Sequence, residues 1–232
     1  MIGLFTAGRR GPAAFSRAFS AAPAAAKLDI KLYQYEICPF CCKVKAYLDW
    51  KGIPYNTKDV NPLSKAEIKF SPQYKKVPIA FIDGEQVNDS DLILESVVEN
   101  LRKDGILTDT EAKEFQDADA KKWRDWATKD LAVLLFPNLT RNFKESLEAF
   151  GYIDKIPHLS PVQKFTNRIL GGVAMRLANG KIKKKYNIED ERKALLDCWK
   201  SWQNLQNRIE IHDFYETFAQ ISIFLLPKIF SF

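Results

Sequence analysis

The most informative stretch of this 232-residue sequence is Ile30-Lys-Leu-Tyr-Gln-Tyr-Glu-Ile-Cys38-Pro39-Phe40-Cys41. Its first half is rich in β-branched and aromatic residues, which is typical of a strand. Val44, Tyr47 and Leu48 then follow at the spacing of one helix face. Pro39 suits the first position of a helix, where its missing N–H costs nothing. The pattern therefore predicts a strand that leads into a helix, with Cys38 at the junction.

The position of Cys38 predicts a reactive thiol. A thiol at a helix start faces unpaired backbone N–H groups and the positive end of the helix dipole, and both favour the thiolate. We therefore expect the pKa of Cys38 to lie below the ordinary value of about 8.5. Lys43 and Lys45 add positive charge nearby, and Cys41, one turn later, is placed to resolve a mixed disulfide. Cys38 and Cys41 are therefore the candidate catalytic residues.

Other uses of the cysteines have less support. A zinc site needs a second pair of ligands, and the remaining candidates, Cys42, Cys198, His158 and His212, are scattered, so we predict no metal site. Four cysteines, three of them close together, also make no secreted-type disulfide framework. We expect Cys42 to point into the helix–sheet interface as a small apolar residue, and Cys198 to lie in a helical core.

The residues after this motif predict the rest of an α/β domain. A helix between two strands makes the strands parallel, and Asp-Gly is a strong hairpin signal. The order βαβαββα, with a cysteine after the first strand, is that of the thioredoxin fold in its glutaredoxin-like form. The predicted elements are a parallel strand at 55–60, a short amphipathic helix at 63–70, strands at 75–82 and 85–88 around Asp83-Gly84, and a helix from Asp89 or Ser90 to about Arg102.

Several separated motifs extend this pattern along the chain. They are Cys38-Pro-Phe-Cys41, Val60-Asn-Pro62, Ala66-Glu-Ile-Lys-Phe70, Lys75-Lys-Val-Pro-Ile79, Val87-Asn-Asp-Ser90 and Lys181-Ile-Lys-Lys-Lys-Tyr186. The first resembles the active-site motif of glutaredoxins and omega-class glutathione transferases. Together, from about Lys31 to about Tyr186, they resemble the prostaglandin E synthase type 2 family. The resemblance implies an α/β plus all-α protein, in which a thioredoxin-like domain precedes a glutathione transferase-like helical domain.

The resemblance also implies an activity and its cofactors. It implies an intramolecular oxidoreductase that isomerises prostaglandin H2 to prostaglandin E2 with a thiol, binds glutathione and, in family members, binds haem alongside glutathione. Cys38 matches the catalytic thiol of the family. Phe40 matches an aromatic residue that shapes the pocket above the thiol, although packing on its own helix is an equal alternative. Tyr35 is an alternative hydrogen-bond partner near the thiolate, but core packing is the preferred interpretation.

Four further residues match the glutathione-binding part of the family pattern. The Val77-Pro78 bond is cis in this fold, so the backbone of Val77 faces the cleft and can pair with the peptide of glutathione as one more strand edge. Asp89 and Ser90 begin a helix, which is a natural carboxylate site. Ser90 suits the γ-glutamyl carboxylate and Asp89 the γ-glutamyl ammonium; simple helix capping is the alternative for both.

The second half of the chain predicts helices. Residues 29–102 form the first predicted domain, 103–110 a polar linker with a cap at Thr108, Asp109 or Thr110, and 111–208 a helical domain that we expect to be incomplete. Apolar residues recur every three to four positions from Phe115 to Ala127, which predicts one long helix. Gly171 and Gly172 lie in a segment of small residues, which predicts a close approach between helices.

The two ends of the chain differ from the rest. Residues 1–28 contain four basic and no acidic residues, a pattern typical of a mitochondrial transit peptide. Without these charges the net charge falls from +6 to +2, so nucleic-acid binding has little support. Residues 209–232 end in an atypical apolar tail, which is too short to span a bilayer. Peripheral membrane association and a homodimer stay open.

Three functional interpretations stay open. The first is the isomerase, with a lipid endoperoxide as its small-molecule substrate. The second is a glutaredoxin-like or omega-type oxidoreductase or transferase, in which Cys38 attacks a glutathione mixed disulfide and Cys41 resolves it. The third is a non-enzymatic module that binds glutathione or haem.

Overall fold

The computed structural model describes residues 28–206, with side chains described as far as Ser201. The predicted transit peptide, apart from Leu28, and the predicted tail at 209–232 lie outside this range, as does His212. Leu28 itself is buried in the core of the first domain. The folded domain therefore begins no later than Leu28, at the last residue of the predicted N-terminal segment.

The first domain is built on a four-stranded sheet with the order β2-β1-β3-β4. β1 pairs with β2 in parallel and with β3 in antiparallel, and β3 pairs with β4 in antiparallel. Asp83 and Gly84, both at positive φ, make the turn between β3 and β4 as predicted. The fold class is confirmed. The elements of this domain are β1 Ile30–Gln34, α1 Pro39–Trp50, β2 Asn56–Asp59, β3 Ile79–Ile82, β4 Glu85–Asn88 and α2 Ser90–Lys103.

Two helices cover the sheet and bury its core. Ile30 and Leu32 of β1 point to the same side and are almost completely buried. Leu48 of α1 and Leu94 of α2 pack in the same cluster, and both side chains are fully buried. Each fully buried leucine stabilises the fold by about 1.5–3 kcal/mol relative to an exposed one. The sheet and these two helices therefore hold the start of α1, and Cys38 with it, on a rigid support.

The predicted helix at 63–70 is wrong. Only the three residues Ala66–Ile68 form a 3₁₀ turn. The side-chain oxygen of Asn61 accepts hydrogen bonds from the backbone N–H groups of Leu63 and Ser64, and Lys65 adopts a left-handed conformation with φ +49°. A side-chain turn of this kind competes with helical hydrogen bonds, and a left-handed residue interrupts them.

The second half of the described chain is helical. Thr108 and Glu111 form a reciprocal capping box at the start of its first helix, so the last two residues of the predicted linker already belong to that helix. No helix among the described residues is long and apolar enough to cross a membrane. The helices are α3 Asp109–Gln116, α4 Ala118–Trp126, α5 Ala132–Leu139, α6 Phe143–Ala149, α7 Pro161–Lys185 and α8 Glu191–Gln206.

The prediction of one long helix from Phe115 to Ala127 is wrong, because the chain breaks at Asp117. This residue has ψ 148°, which is not helical, and its carboxylate accepts a hydrogen bond from the backbone N–H of Asp119 at 2.8 Å. Asp117 thus ends α3 and caps α4. After Trp126 the turn Ala127–Leu131 has π-helical hydrogen bonds before α5 begins.

The predicted close approach at Gly171 and Gly172 is confirmed. A Cβ atom at Gly171 would lie 2.2 Å from the ring of Phe150, and one at Gly172 would lie 2.9 Å from the side chain of Leu147. Real Cβ atoms do not come this close to other heavy atoms. Both glycines therefore let α7 lie directly on α6 and the 3₁₀ turn that follows α6.

Candidate active site

Cys38 lies at the junction of β1 and α1, as the sequence predicts. It is the N-cap residue of α1, with extended backbone angles, and Pro39 is the first residue of the helix. Its backbone N–H donates to the carbonyl of Tyr35 at 3.1 Å, and its carbonyl accepts from Cys42 N at 2.9 Å. The side chain is half-buried. The thiol is therefore held at the positive end of the helix and is still accessible.

Cys38 and Cys41 have opposite electrostatic properties. A hydrogen bond from the Cys41 thiol lowers the pKa of Cys38 against the effect of burial, and the backbone of Cys41 and Phe40 and the charge of Lys45 lower it further. Burial and its hydrogen bond to Cys38 raise the pKa of Cys41 well above its ordinary value. The pair therefore favours a thiolate at Cys38 and a neutral thiol at Cys41, which is the arrangement of a nucleophile beside a hydrogen-bond donor.

Of the two lysines expected to add positive charge near the thiol, Lys43 forms an ion pair with Asp91. Its side chain is buried, with Nζ 2.8 Å from Asp91 Oδ1 and hydrogen-bonded to the hydroxyl of Thr128 at 3.1 Å. Lys45 lies two helical turns after Cys38 and so faces the same side of α1, whereas Lys43 does not. Lys45 is the lysine whose charge helps to lower the pKa of Cys38.

The assignment of Cys42 to the helix–sheet interface is also wrong, because Cys41 occupies that place. Cys41 is fully buried and packs with Val77 and Ile79. Cys42 is half-buried, and its thiol donates to the carbonyl of Glu36 at 3.5 Å. Cys41 precedes Val44 by three positions, and Val44 is also fully buried, so both lie on the inner face of α1.

Val77 brings a backbone edge next to the thiol pair. The Val77-Pro78 bond is cis, as the resemblance implied, and both residues are buried. Val77 packs against Cys41 in the same cluster. Among residues 28–206, no turn or loop hydrogen bond uses the N–H or the carbonyl of Val77. These groups are therefore suited to pair with an extended peptide.

Asp89 and Ser90 begin α2 as predicted. Asp89 is the exposed N-cap residue, and its Oδ1 accepts a hydrogen bond from Asp91 N at 2.9 Å. Its φ of +78° lies in a region that non-glycine residues rarely adopt, and such residues are frequent at binding sites. Within the described part of the chain, Oδ2 makes no hydrogen bond. Ser90 is almost fully buried. Asp89 therefore caps the helix with one oxygen and leaves the other open.

Tyr74 is a residue of this site that the sequence reasoning missed. Its ring packs on the cluster that contains Cys41 and Val77. Burial raises the pKa of Tyr74 to about 12, and the negative charges of Asp89 and Cys38 contribute. Tyr74 is thus close to both the N-terminus of α2 and the thiol. It lies in an irregular loop, where hydrophobic periodicity gives no signal.

Tyr35 and Phe40 lie beside the thiol, as expected. Tyr35 packs against two hydrophobic clusters, which is the preferred interpretation of this residue. Burial raises the pKa of Tyr35 to about 12, with contributions from Cys38, Cys41 and Glu67. Phe40 is half-buried at the start of α1, which agrees with either of its two predicted roles.

Cys198 and His158, the other two residues considered as metal ligands within the described chain, lie apart from this site. Cys198 packs beside Leu195 in a helical cluster, as predicted, and burial raises the pKa of its thiol to about 11. His158 Nε2 lies 3.0 Å from Glu67 Oε1, a contact that joins the two domains. In the described residues, no three His, Cys, Asp and Glu side chains are grouped so that they could hold a metal ion.

The sheet order of the first domain and the helices that follow it are those of the glutathione transferase-like fold class. Residues 32–103 match the family described as "Glutathione S-transferase, N-terminal domain". The chain is similar to "Prostaglandin E synthase 2" of Danio rerio, with 32% identity over 214 residues, which are 75% of this chain and 56% of the relative. The protein of that name from Mus musculus is 30% identical over 221 residues, 78% of this chain and 57% of the relative.

These similarities confirm the resemblance to the prostaglandin E synthase type 2 family. The chain spans about half the length of these curated relatives. Among solved structures, rice GST1 (OsGSTU1) in complex with glutathione is 12% identical with a TM-score of 0.42, over 87% of this chain and 98% of that chain. The family match and the sheet topology, rather than this global similarity, establish the fold class.

Proposed function

We propose that this protein is a glutathione-dependent enzyme that uses the Cys38 thiolate as its nucleophile. The observation that carries the proposal is the position of the half-buried Cys38 thiol at the N-terminus of α1, packed beside the buried Cys41, where the neighbouring Cys41 thiol lowers the pKa of Cys38. Most buried cysteines are inert because burial favours the neutral thiol. Here the local donors outweigh burial, which is the property that a catalytic cysteine needs.

Glutathione fits the groups that surround this thiol. The backbone N–H and carbonyl of Val77 suit the cysteinyl peptide unit of glutathione, which would place its sulfur beside Cys38. The N-terminus of α2 suits the γ-glutamyl carboxylate, with Ser90 as its first residue. The open oxygen of Asp89 suits the γ-glutamyl ammonium. Phe40 would form the apolar wall beside the thiol.

The reaction that we propose is the isomerisation of prostaglandin H2 to prostaglandin E2. The thiolate, of Cys38 or of bound glutathione, attacks one oxygen of the endoperoxide. An S–O bond forms as the O–O bond breaks, and the second oxygen leaves as an alkoxide that takes a proton from water. The hydroxide left from that water takes the proton on the carbon that bears the S–O oxygen, so the C=O bond of the ketone forms, the S–O bond breaks and the thiolate is released. No external oxidant or reductant is consumed.

The contact between Cys41 and Cys38 supports a second candidate, a glutaredoxin-like thiol–disulfide oxidoreductase or omega-type transferase. Cys38 would attack a glutathione mixed disulfide and release the other thiol. Cys41 would then attack Cys38 Sγ, form the protein disulfide and release glutathione, and two further glutathione molecules would reduce that disulfide. The raised pKa of Cys41 opposes this step, but it includes the repulsion from the Cys38 thiolate, which disappears in the mixed disulfide.

Side-by-side assays of purified protein separate these candidates. We would measure prostaglandin H2 isomerisation and glutathione-dependent disulfide reduction for the wild type, Cys38→Ser and Cys41→Ser. Loss of isomerisation in Cys38→Ser with retention in Cys41→Ser supports the isomerase, whereas a disulfide reductase activity that needs both thiols supports the second candidate. If neither activity is present and the ultraviolet-visible spectrum shows haem after addition of haem and glutathione, the protein is a binding module instead.

We also propose that residues 1–28 direct the protein to mitochondria, because the segment contains arginine, serine and alanine and no acidic residue. Fused to a fluorescent reporter, the segment should bring the reporter to mitochondria. Reversing the charges of Arg9, Arg10 and Arg17 with glutamate should leave the reporter in the cytosol. Mitochondrial import of the charge-reversed fusion would contradict this proposal.

A further inference from the structure

α7 packs on the rest of the protein with small and polar residues. The rings and side chains of the neighbouring elements fit against Gly171 and Gly172. Asn179 anchors the other end, because its Nδ2 donates to the backbone carbonyl and the hydroxyl of Thr140 at 2.6 and 3.0 Å. The buried residues of the helix are Asn167, Gly171, Gly172 and Asn179. Met175 of α7 is partly buried against the cluster around Phe150, so small and polar residues supply most but not all of this contact.

Five large apolar residues of α7 lie on the opposite, exposed side. Their exposed fractions range from 40% to 72%. At 3.6 residues per turn they fall on one side of the helix, and they extend over about 22 Å. We name them the α7 stripe: Val162, Phe165, Leu170, Val173 and Leu177. An amphipathic helix of a globular protein normally turns such residues inwards, so this face indicates a surface that binds something apolar.

The charged residues of α7 are all basic. Residues 161–185 contain seven basic residues and no acidic residue. Arg168 pairs with Asp154 at 2.7 Å, and Lys183 pairs with Glu191. Three others are exposed around the C-terminal half of the stripe and have no ion pair with any described side chain: Arg176, Lys181 and Lys184.

We propose that the α7 stripe and its basic residues bind the surface of an anionic lipid membrane. A helix that combines an apolar face with lysine and arginine lies in the headgroup region, where the apolar side chains enter the acyl boundary and the cations meet lipid phosphates. The length of the stripe suits such a helix, which lies along the surface and does not cross it. This inference concerns a surface apart from the thiol site and does not depend on the proposed reaction.

A second copy of this chain fits the same face less well. A two-fold symmetric contact places the same patch of both copies together. It would therefore bring the exposed basic residues Arg176, Lys181 and Lys184 of both copies close together, and like charges at close range repel. An anionic surface instead complements this charge, so charge complementarity favours lipid.

The test is co-sedimentation of the full-length protein with vesicles of phosphatidylcholine, alone or mixed with phosphatidylserine. We expect binding to the mixed vesicles, weaker binding at high salt, and little binding to phosphatidylcholine alone. The variant Phe165→Ser/Leu177→Ser should bind at least several-fold more weakly, because it removes two apolar side chains from the stripe. The control Leu63→Ser/Phe143→Ser changes two other exposed apolar residues and should bind like the wild type.

The charge is tested in the same assay with Lys181→Glu/Lys184→Glu. Each basic residue near an anionic surface contributes about a fivefold factor in partitioning, so this variant should bind at least about tenfold more weakly. The control Lys121→Glu/Lys122→Glu makes the same charge change at exposed residues of α4 and should reduce binding much less. Melting temperatures close to that of the wild type would show that all variants are folded.

Several results would overturn the proposal. One is the absence of binding to the phosphatidylserine vesicles. Another is binding that neither the stripe variant nor the lysine variant weakens, which would assign it to another part of the chain. A third concerns a homodimer detected by sedimentation. If Phe165→Ser/Leu177→Ser dissociates this dimer and leaves vesicle binding unchanged, the α7 stripe is an interface between copies and not a membrane-binding surface.

Discussion

The Lys43 ammonium of α1 lies 2.8 Å from Asp91 Oδ1 in the first turn of α2. Arg124 of α4 reaches the same carboxylate oxygen at 4.0 Å. The backbone N–H of Asp91 in turn donates to Asp89, the cap that we propose to bind glutathione. This ion pair therefore connects the helix of the thiol, the helix of the ligand site and the helical domain. Loss of this ion pair should therefore affect the stability of the protein.

Asp91→Asn should destabilise the protein. It leaves the buried Lys43 without its anion, which costs about 3–5 kcal/mol in a fully buried pair, but about one third of the Asp91 side chain is exposed, so we expect about 1–3 kcal/mol. Urea unfolding at neutral pH measures the change. The control is Glu99→Gln, which removes an exposed ion pair of the same helix and should leave the unfolding midpoint nearly unchanged.

The pH dependence of this loss identifies its cause. Burial lowers the pKa of Lys43 in spite of Asp91, so removal of the carboxylate lowers it further. A lysine with a lowered pKa binds fewer protons in the folded state than in the unfolded state, so its unfavourable effect on stability fades as the pH rises towards its unfolded pKa of about 10.4. The difference between wild type and Asp91→Asn should therefore shrink from pH 7 to about pH 10. A constant difference would assign the loss to packing.

Iodoacetamide should alkylate Cys38 first, and the reaction should remain measurable below pH 7. Its lowered pKa leaves more thiolate than an ordinary cysteine has, whereas burial raises the pKa of Cys198 to about 11. Peptide mapping of briefly labelled protein at several pH values measures this order. Cys38→Ser should lose the fast reaction and keep the melting temperature, because the side chain is only half-buried. Earlier labelling of Cys42 or Cys198 would contradict the electrostatic argument.

Two replacements of Cys41, by serine and by alanine, separate its hydrogen bond to Cys38 from its role as a second redox thiol. The Cys41 thiol is the largest cause of the lowered pKa of Cys38. Serine keeps a donor at this position and alanine removes it, so the pH midpoint of Cys38 alkylation should rise clearly in Cys41→Ala and less in Cys41→Ser. Both variants lose the second thiol, so a dithiol reaction should stop in both. Equal midpoints in the wild type and Cys41→Ala would show that the hydrogen bond has no effect.

The sequence predicted the thiol site where local rules govern it. Pro39 after Cys38, the Asp83-Gly84 turn and the start of α2 each follow from short-range backbone preferences, and the structure has all three. The sequence also indicates which of the two neighbouring cysteines faces the sheet. Val44 and Leu48 define the inner face of α1, and helical spacing places Cys41 on that face and Cys42 off it.

The features that the sequence does not predict depend on competing local contacts or on contacts between distant residues. Asp117 looked like one more polar residue of a long helix, but a carboxylate that accepts from the backbone two residues later also starts a new helix. Lys43 and Asp91 are 48 positions apart, and only the packing of α1 against α2 brings them together. Tyr74 lies in a loop without a repeating pattern, so its position beside Asp89 and Cys38 follows from the tertiary fold alone.

Two substitutions of Asp89 separate its capping role from its proposed role in glutathione binding. Asp89→Asn keeps a side-chain oxygen for the Asp91 N–H but loses the negative charge, whereas Asp89→Ala loses both. We expect the melting temperature to fall in Asp89→Ala, which removes a cap worth about 1 kcal/mol, and to change little in Asp89→Asn.

Glutathione affinity should follow the charge instead. Calorimetry should show weaker binding by about 1–3 kcal/mol in both variants, because the γ-glutamyl ammonium loses a charge-assisted hydrogen bond in each. Ser90→Ala should weaken binding by a similar amount through the γ-glutamyl carboxylate. If Asp89→Asn binds glutathione as tightly as the wild type, Asp89 is a helix cap only, and the ligand site has to be sought elsewhere around Val77 and Tyr74.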